Sequence, residues 1–478
     1  MKPPQKNAFW IDLLKILLPL LVCGLLAVHA NPAGFTSALQ QVFAVADTQE
    51  DAAFSRALKD ALVFQPWRVE LLEQLGAVQI RQGDPAAAVQ TYRQAELHGD
   101  LSLGGQLAYT GALAETGQTE AASEALNQAA LRSGLNAAQR DQILQARRKM
   151  RDLSGAVNDL QRWASENHGD MTLLYRLAAY TAVSQPKDAI LLMPPTSDLP
   201  QELQKEAAGL RSALAELPGE APPVQQLAAV GQAFARADDW LLAEYAFSNA
   251  VQADPDYAEA WAFWGAALDH TGGEAWPAFE RALSLNPDST ITNSLVSLYW
   301  RSRQQPERGL PYLYRNAGLE PRHAIWQIEI GNTLVEMGDP ESALQHFVEA
   351  TNIEPSNVQP WLALAGFSVS RNVSVESLGY YAAEQALLLE PEHLQAMDLM
   401  GSVMMTLGNY DLAERFYFRC LDKDPQYGLA YLHLGQLYLL KQDYPKSYQH
   451  LKKARELLED SAGGRQAAEL LSKYFSNP

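Results

Sequence analysis

Prolines recur at a fixed spacing along the second half of the chain. Pro287, Pro321 and Pro355 are 34 residues apart, and so are Pro391 and Pro425. A fixed period of this length indicates a repeat array, in which each unit packs on its neighbours. A chain of 478 residues also exceeds what one compact core usually supports. The period therefore predicts a linear array built from similar units.

The blocks that end at these prolines are built alike. In the block before Pro355, Ile330-Gly331 lies in a first amphipathic segment, and the sequence MGDPE forms a turn. The second segment carries Ala343, Phe347 and Ala350 on one face, at helical spacings of four and three. Related blocks contain Val230-Gly231 with Ala243, Phe247 and Ala250; Met400-Gly401 with Ala413, Tyr417 and Cys420; Leu434-Gly435 with Ala454; and Leu75-Gly76 with Ala88, Tyr92 and Ala95. We therefore predict helix pairs that cross closely at small residues.

Three blocks depart from this pattern. The block from Trp261 to Pro287 has a turn two residues short, and the block that ends at Pro391 is two residues long. The stretch from Ser294 to Asn316 has lost most of the recurring residues. We expect the array to be locally irregular at these places.

Composition and charge limit the fold classes and the classes of partner that the chain can have. Alanine and leucine dominate and runs of β-branched residues are scarce, which favours helix throughout and predicts no strands of consequence. The formal net charge is −19, from 56 acidic against 37 basic residues. A surface of this sign repels a phosphate backbone, so nucleic acid is not an expected partner.

This pattern resembles the tetratricopeptide repeat (TPR), in which a large residue, Leu-Gly, an aromatic, alanine, an aromatic, alanine and proline recur in register. The resemblance covers about ten or eleven units between residues 47 and 461. It implies an all-α fold, a right-handed α-α superhelix (TPR solenoid), preceded here by one hydrophobic N-terminal helix.

Paired prolines divide the predicted array. Pro194-Pro195 and Pro222-Pro223 enclose one helix-like stretch, and paired prolines stop helices. We predict a linker at 31–46, a degenerate N-terminal array at 47–217 and a C-terminal array at 218–461. Residues 462–478 are expected to form a helix and tail that cap the last repeat.

Residues 1–30 are predicted to be a signal anchor or a signal peptide. The run ILLPLLVCGLLAV at 16–28 is apolar, and its extension back to Phe9 makes residues 8–30 long enough to span a membrane. Val28-His29-Ala30 also fits cleavage by a signal peptidase. Lys2, Lys6 and Lys15 precede the apolar run, which predicts a cytoplasmic N-terminus and repeats on the other side of the membrane.

The chain lacks the sequence motifs of common catalytic sites. HExxH, GxSxG, P-loop, CxxC and GxGxxG are absent, and the nine histidines are scattered singly. We therefore expect no enzyme activity, no catalytic residue, no metal site and no cofactor.

The family resemblance implies a protein-binding groove along the first helices of successive repeats. The densest basic cluster is Arg147, Arg148, Lys149 and Arg151, and the repeat register places Arg148 and Lys149 on a first helix, facing the concave side. A solvated face is the favoured interpretation of this cluster, and the alternative is a dock for an acidic peptide. The candidate groove residues are Arg148, Lys149, Gln232, Asp269, Arg301, Asn332, Glu336, Ser402 and Gln436. Family members that clamp a carboxylate use lysine, arginine and asparagine together, and here only Asn332 stands at such a position.

Together these observations predict a membrane-tethered, extracytoplasmic adaptor that binds partner proteins or peptides on its concave surface. If the N-terminal segment is cleaved, the same protein is secreted. The alternative is a scaffolding or regulatory subunit of an envelope system for polysaccharide export or glycan assembly.

Overall fold

The computed structural model describes residues 32–46, 50–215, 221–459 and 461–475. These residues form 26 α-helices and no strand, which confirms the prediction of an all-helical array. The chain divides into two compact units, Met1–Glu216 and Leu217–Pro478. The predicted membrane segment, residues 8–30, lies outside the described residues. None of the helices within the described ranges is long and apolar enough to cross a membrane.

Unit 1 contains helices α1 to α11. They are α1 (Pro32–Ala46), α2 (Asp51–Phe64), α3 (Val69–Arg81), α4 (Pro85–Glu96), α5 (Leu103–Glu115), α6 (Thr119–Ala130), α7 (Ala137–Lys149), α8 (Leu153–Glu166), α9 (Met171–Ala182), α10 (Pro186–Leu192) and α11 (Gln201–Ala215). Successive helices pack as pairs from α1–α2 to α9–α10, and α11 follows as a single helix.

Unit 2 contains helices α12 to α26. They are α12 (Pro223–Arg236), α13 (Trp240–Ala253), α14 (Ala258–Thr271), α15 (Trp276–Leu285), α16 (Thr290–Ser302), α17 (Pro306–Leu319), α18 (Ala324–Glu336), α19 (Pro340–Ile353), α20 (Val358–Arg371), α21 (Tyr380–Leu389), α22 (Leu394–Thr406), α23 (Tyr410–Lys423), α24 (Gly428–Leu440), α25 (Tyr444–Leu458) and α26 (Ala462–Phe475). Seven pairs, α12–α13 to α24–α25, pack on one another in sequence, and α26 packs on α25.

Small residues bring the two helices of a pair into close contact. A Cβ atom added at Gly331 would lie 2.9 Å from Cζ of Phe347, and one at Gly401 would lie 2.6 Å from Cε1 of Tyr417. Both aromatic side chains are buried in a core that extends from α17 to α24. The aromatic ring of the second helix therefore fills the notch that glycine leaves in the first, as the repeat pattern predicts.

Most turns inside a pair contain one residue with positive φ. Gly338 in the MGDPE turn has φ +80°, which glycine adopts without a steric penalty. In the turn between α12 and α13 Asp238 takes the same role, with φ +62°. The next residue then caps the second helix, as Asp339 does by accepting a hydrogen bond from the amide of Ser342 at 3.0 Å.

Two of the three irregular blocks keep their helix pair by local adjustment. The block with the short turn closes through Gly272 at φ +79°. The block with two extra residues inserts a π-helical turn, Val375–Gly379, before α21. A π-turn absorbs extra residues without ending the helix. The insertion therefore changes the start of α21 and leaves its pairing with α20 in place.

The third irregular block keeps its pair by polar packing. Gly309 on α17 would bring an added Cβ within 2.9 Å of the carbonyl oxygen of Ser297 on α16, so the backbones themselves are close. Asn316 is fully buried and donates a hydrogen bond to the carbonyl oxygen of Thr290 at 2.9 Å. Ser297 and Asn316 thus take the positions that Gly331 and Ala350 hold in the next block, and the buried Leu313 takes the aromatic position.

The sequence prediction of a linker at 31–46 is wrong for residues 32–46. These residues form α1, which buries Phe35, Ala38 and Val42 against α2 and α3. The described part of unit 1 therefore begins with a complete helix pair. The segment lacks the Leu-Gly and proline positions that mark the other units, so the repeat pattern does not predict this helix.

We expect Gly231→Ala to destabilise its pair, whereas Gly265→Ala should be close to neutral. An added Cβ would lie 2.5 Å from Phe247 Cε1 at Gly231 but 3.0 Å from Phe279 Cδ1 at Gly265. Alanine gains about 0.8–1.0 kcal/mol of helix propensity at either site. Overpacking costs about 1–3 kcal/mol, and it should exceed that gain only at Gly231. Urea denaturation of the two variants tests this order, and equal stabilisation by both would contradict the packing.

Candidate functional site: a cleft on the first helices of unit 2

The first helices of three successive pairs line one cleft in unit 2. We call it the Arg301 cleft; its volume is about 540 Å³. It brings together three of the predicted groove residues, Asp269 on α14, Arg301 on α16 and Glu336 on α18. The other lining residues are Trp240, Ala266, His270, Phe279, Leu295, Leu298, Tyr299 and Ser302.

Ion pairs fix the polar side of the Arg301 cleft. The Arg301 guanidinium contacts Glu336 at 2.6 Å and Glu329 at 2.8 Å, so it bridges α16 to two positions on α18. The hydrogen bond to Glu336, with support from Glu329, raises the pKa of Arg301. Asp269 pairs with Arg303 at 2.7 Å. The cleft therefore offers charged groups that are already held in place.

An apolar wall faces these charges. Leu298 is 53% exposed, although its neighbour Tyr299 is buried. Trp240 stacks on His270 with ring centroids 3.5 Å apart and an interplanar angle of 2°. A side chain of a partner can pack on the exposed leucine and on the stacked aromatic pair. Such a contact removes apolar surface of both proteins from water.

A cluster of aromatic rings packs around Tyr299 in this wall. Tyr299 contacts Trp300 at 5.0 Å between centroids and Phe279 at 5.2 Å. The guanidinium of Arg303 lies 3.8 Å from the centroid of Tyr299, a cation-π contact that also orients the arginine toward Asp269. These contacts connect the apolar wall to the Asp269–Arg303 ion pair.

Further exposed apolar side chains lie on the same helices beyond the cleft. Ile291 on α16 and Ile325 on α18 are both about half exposed, although they are large aliphatic residues. They are 34 residues apart and occupy equivalent positions in their repeats. This surface of unit 2 therefore presents aliphatic groups at the period of the repeat.

The remaining candidate residues do not join this cleft. Gln232, Asn332 and Gln436 are half-buried on the first helices α12, α18 and α24. Ser402 is not on an open surface, because it is 4% exposed and lies 3.2 Å from the hydroxyl of Tyr417. Its small side chain packs under the ring that fills the neighbouring glycine notch, which the repeat register alone does not reveal.

The residues of the basic cluster in unit 1 differ in how far they are exposed. Lys149 is exposed at the end of α7, and Arg148 is half-buried with Nη1 3.4 Å from the Tyr180 hydroxyl. The preceding residue, Arg147, is buried and bonds Asp159 and Asn127 at 2.9 and 2.7 Å. One arginine of the cluster is therefore part of the interior.

Sequence reasoning missed Leu298, the most exposed apolar residue of the cleft wall. Leu298 precedes the candidate Asn332 by 34 residues and holds the same position in its repeat. Its block lacks most of the recurring residues, so the repeat pattern does not mark this position. The register alone would have identified it.

The arrangement is suited to binding. In the described part of the chain no group of three or more histidine, cysteine, aspartate or glutamate side chains could hold a metal ion. The charged groups of the Arg301 cleft neutralise one another across helices, and the exposed apolar groups lie beside them. Such a surface can hold an apolar side chain and orient nearby polar groups.

Comparison with known proteins gives partial matches. No protein-family model matches the chain. The chain is 27% identical over 193 residues to anaphase-promoting complex subunit 7 of Arabidopsis thaliana, a match that covers 36% of this chain and 34% of that protein. It is 22% identical over 147 residues to anaphase-promoting complex subunit CDC16 of Saccharomyces cerevisiae, covering 31% of this chain and 17% of that protein.

A tetratricopeptide repeat protein from Parabacteroides merdae is similar in structure, with a TM-score of 0.43 and 14% identity over 52% of this chain and 99% of that chain. The matches span 34% and 17% of the lengths of these two curated relatives. This chain forms a TPR-like array of helices, as its helix pairs, glycine notches and turns establish.

Proposed function

We propose that this chain is a non-catalytic adaptor and that unit 2 binds segments of partner proteins along its first helices. The observation that carries the proposal is the Arg301 cleft, where Asp269, Arg301 and Glu336 from three successive pairs surround the exposed Leu298. Both curated relatives are named as subunits of a multiprotein complex, which is consistent with a role in assembly.

The chemistry of the cleft suggests how a segment binds. An apolar side chain of the partner packs on Leu298 and on the Trp240–His270 stack, where it buries aliphatic and aromatic surface. Donors on the partner then meet Glu336 and Asp269, whose charges are partly satisfied by arginines of this chain. Partial neutralisation lowers the cost of removing these carboxylates from water.

Photo-crosslinking from the cleft tests this proposal. A photoreactive amino acid replaces Leu298 in the full chain, and a matched variant carries it at Tyr314, which is exposed on the second helix α17. We expect discrete crosslinked partners from position 298 in cells, identified by mass spectrometry, and few or none from position 314. Identical crosslinks from both positions would contradict a binding surface on the first helices.

We further propose that residues 8–30 tether the protein to a membrane and that the repeats lie outside the cytoplasm. Support comes from the sequence, where the apolar run 16–28 follows Lys2, Lys6 and Lys15. If the segment is cleaved after Ala30, the same orientation gives a secreted protein.

Cysteine labelling tests this orientation. A membrane-impermeant reagent should label Glu341→Cys, in the exposed first turn of α19, and should not label Gln5→Cys in intact cells whose outer membrane, where present, is permeabilised. Glu341 can be replaced without loss of the helix cap, which is provided by Asp339. Label at position 5 but not at position 341 would reverse the orientation, and a mature N-terminus at Asn31 would replace the tether by a cleaved signal.

A further inference from the structure

Unit 2 contains a second and larger cleft, which lies against α22 and α24. We call it the Glu392 cleft; its volume is about 1420 Å³. It is bordered by the loop between α21 and α22, the end of α23 and the first turns of α24. Pockets for small ligands typically measure about 300–1,000 Å³, so this cleft is large for a metabolite and suits a segment of a protein.

The rim of the Glu392 cleft is acidic. Two carboxylates, of Glu390 and Glu392, lie at the rim together with one ammonium group, of Lys423. Lys423 Nζ lies 2.7 Å from Glu392 Oε2, so this charge is already paired. The Glu392 side chain is nevertheless 80% exposed and can meet a further cation. The rim therefore favours a positively charged partner.

The inner surface of the cleft is largely apolar. Leu389 and Leu429 line it and remain more than a third exposed. At its floor Asp398 is buried, and its Oδ1 lies 2.8 Å from Nδ1 of His433, which holds the imidazole in one orientation. The cleft thus combines exposed aliphatic groups, an oriented imidazole and an excess of negative charge.

We infer that the Glu392 cleft binds a partner segment that carries both basic and apolar side chains. This inference rests on the proposed function of unit 2 as a surface for protein segments, and it adds the chemistry of one partner. Aliphatic side chains of the segment cover Leu389 and Leu429. Arginine or lysine side chains reach Glu390 and Glu392, whereas an acidic segment is repelled at the same positions.

Three synthetic peptides of equal length test this chemistry on the full chain. One combines leucine with arginine, the second leucine with glutamate, and the third serine with arginine. We expect the leucine–arginine peptide to bind most tightly in a fluorescence anisotropy titration, because only this peptide satisfies both the apolar surface and the acidic rim. Its affinity should fall as salt is added.

A charge reversal then locates the site. In the double variant Glu390→Lys/Glu392→Lys, binding of the leucine–arginine peptide should weaken at least about tenfold and binding of the leucine–glutamate peptide should improve. The control Asp256→Lys/Asp411→Lys changes the net charge equally at exposed positions that lie outside the cleft and pair with Arg281 and Lys441. It should leave both affinities within about twofold of the unmodified chain.

Equal losses in the two double variants would overturn the inference, since binding would then depend only on the net charge of −19. Equal affinity for the leucine–arginine and serine–arginine peptides would also overturn it, because the apolar surface would contribute nothing. Either result leaves the proposed function intact if crosslinking from Leu298 succeeds. Absence of crosslinks from Leu298 would instead contradict the proposed function itself.

Discussion

Replacement of Arg147 by alanine is expected to destabilise unit 1 by about 3–5 kcal/mol, the usual cost of removing one partner from a buried ion pair. The Arg147 side chain is 1% exposed, and it bonds the buried Asp159 at 2.9 Å and Asn127 at 2.7 Å. It also contacts Asp152, which caps α8 by accepting a hydrogen bond from the amide of Gly155. The substitution leaves these acceptors with fewer donors in the interior.

Two further variants separate this effect from the loss of a surface charge. Arg176→Ala removes a partly exposed arginine from its pair with Asp141 and should cost less than about 1 kcal/mol. The double variant Arg147→Met/Asp159→Leu replaces the buried pair by apolar groups and should recover most of the stability. The Arg162 side chain, which also contacts Asp159 at 2.8 Å, is more exposed and can turn to solvent in that variant.

Hydrogen exchange measured on peptides from α7 and α8 is the suitable readout, because an array of repeats need not unfold in one transition. Arg147→Ala should accelerate exchange in these helices far more than Arg176→Ala does. Equal protection in the two single variants would mean that the buried network contributes no more than a surface pair.

Deletion of residues 461–478, which removes α26, is expected to open the end of unit 2. Ala467 and Leu471 of α26 are buried against Leu432, Leu451 and Ala454. A fully buried leucine contributes about 1.5–3 kcal/mol, so exposure of Leu432 and Leu451 together with loss of Leu471 should cost roughly 5 kcal/mol or more. The truncated chain should also aggregate at lower temperature, since the last pair would present its apolar face to water.

Point variants test the packing of α26 without shortening the chain. Ala467→Glu places a charge at a fully buried position of α26 and should reproduce the loss. Glu469→Ala changes an exposed position on the same helix and should have little effect. A truncated chain as soluble and heat-stable as the intact chain would rule out a capping role for α26.

Much of the array could be predicted because its signal is local and repeats. The glycine of the first helix and the aromatic of the second, such as Gly331 and Phe347, are set by a single contact that recurs in several units, with Leu451 in place of the aromatic ring at Gly435. Several turns followed from the same register, since a residue with positive φ precedes a capping aspartate at Asp84, Asp239 and Asp339. These features depend on short-range geometry, and sequence spacing records them directly.

Other features depend on contacts between elements and left no pattern. Arg147 appeared to be one member of a basic surface cluster, and only its approach to Asp159 and Asn127 from neighbouring helices explains its burial. Ser402 holds a groove position in the register, yet the Tyr417 ring covers it. The Arg301 cleft combines side chains from several helices, and spacing predicted three of them without showing that they meet.

Isothermal titration of the full chain with the partner identified by crosslinking measures whether unit 2 binds through the first helices at the Arg301 cleft. Leu298→Glu and Tyr314→Glu are the paired variants. Leu298→Glu introduces a charge into the apolar wall beside Glu336 and should weaken binding at least about tenfold. Tyr314→Glu adds the same charge on α17 and should change the affinity less than about twofold. Equal affinities for Leu298→Glu and the unmodified chain would contradict binding at this cleft.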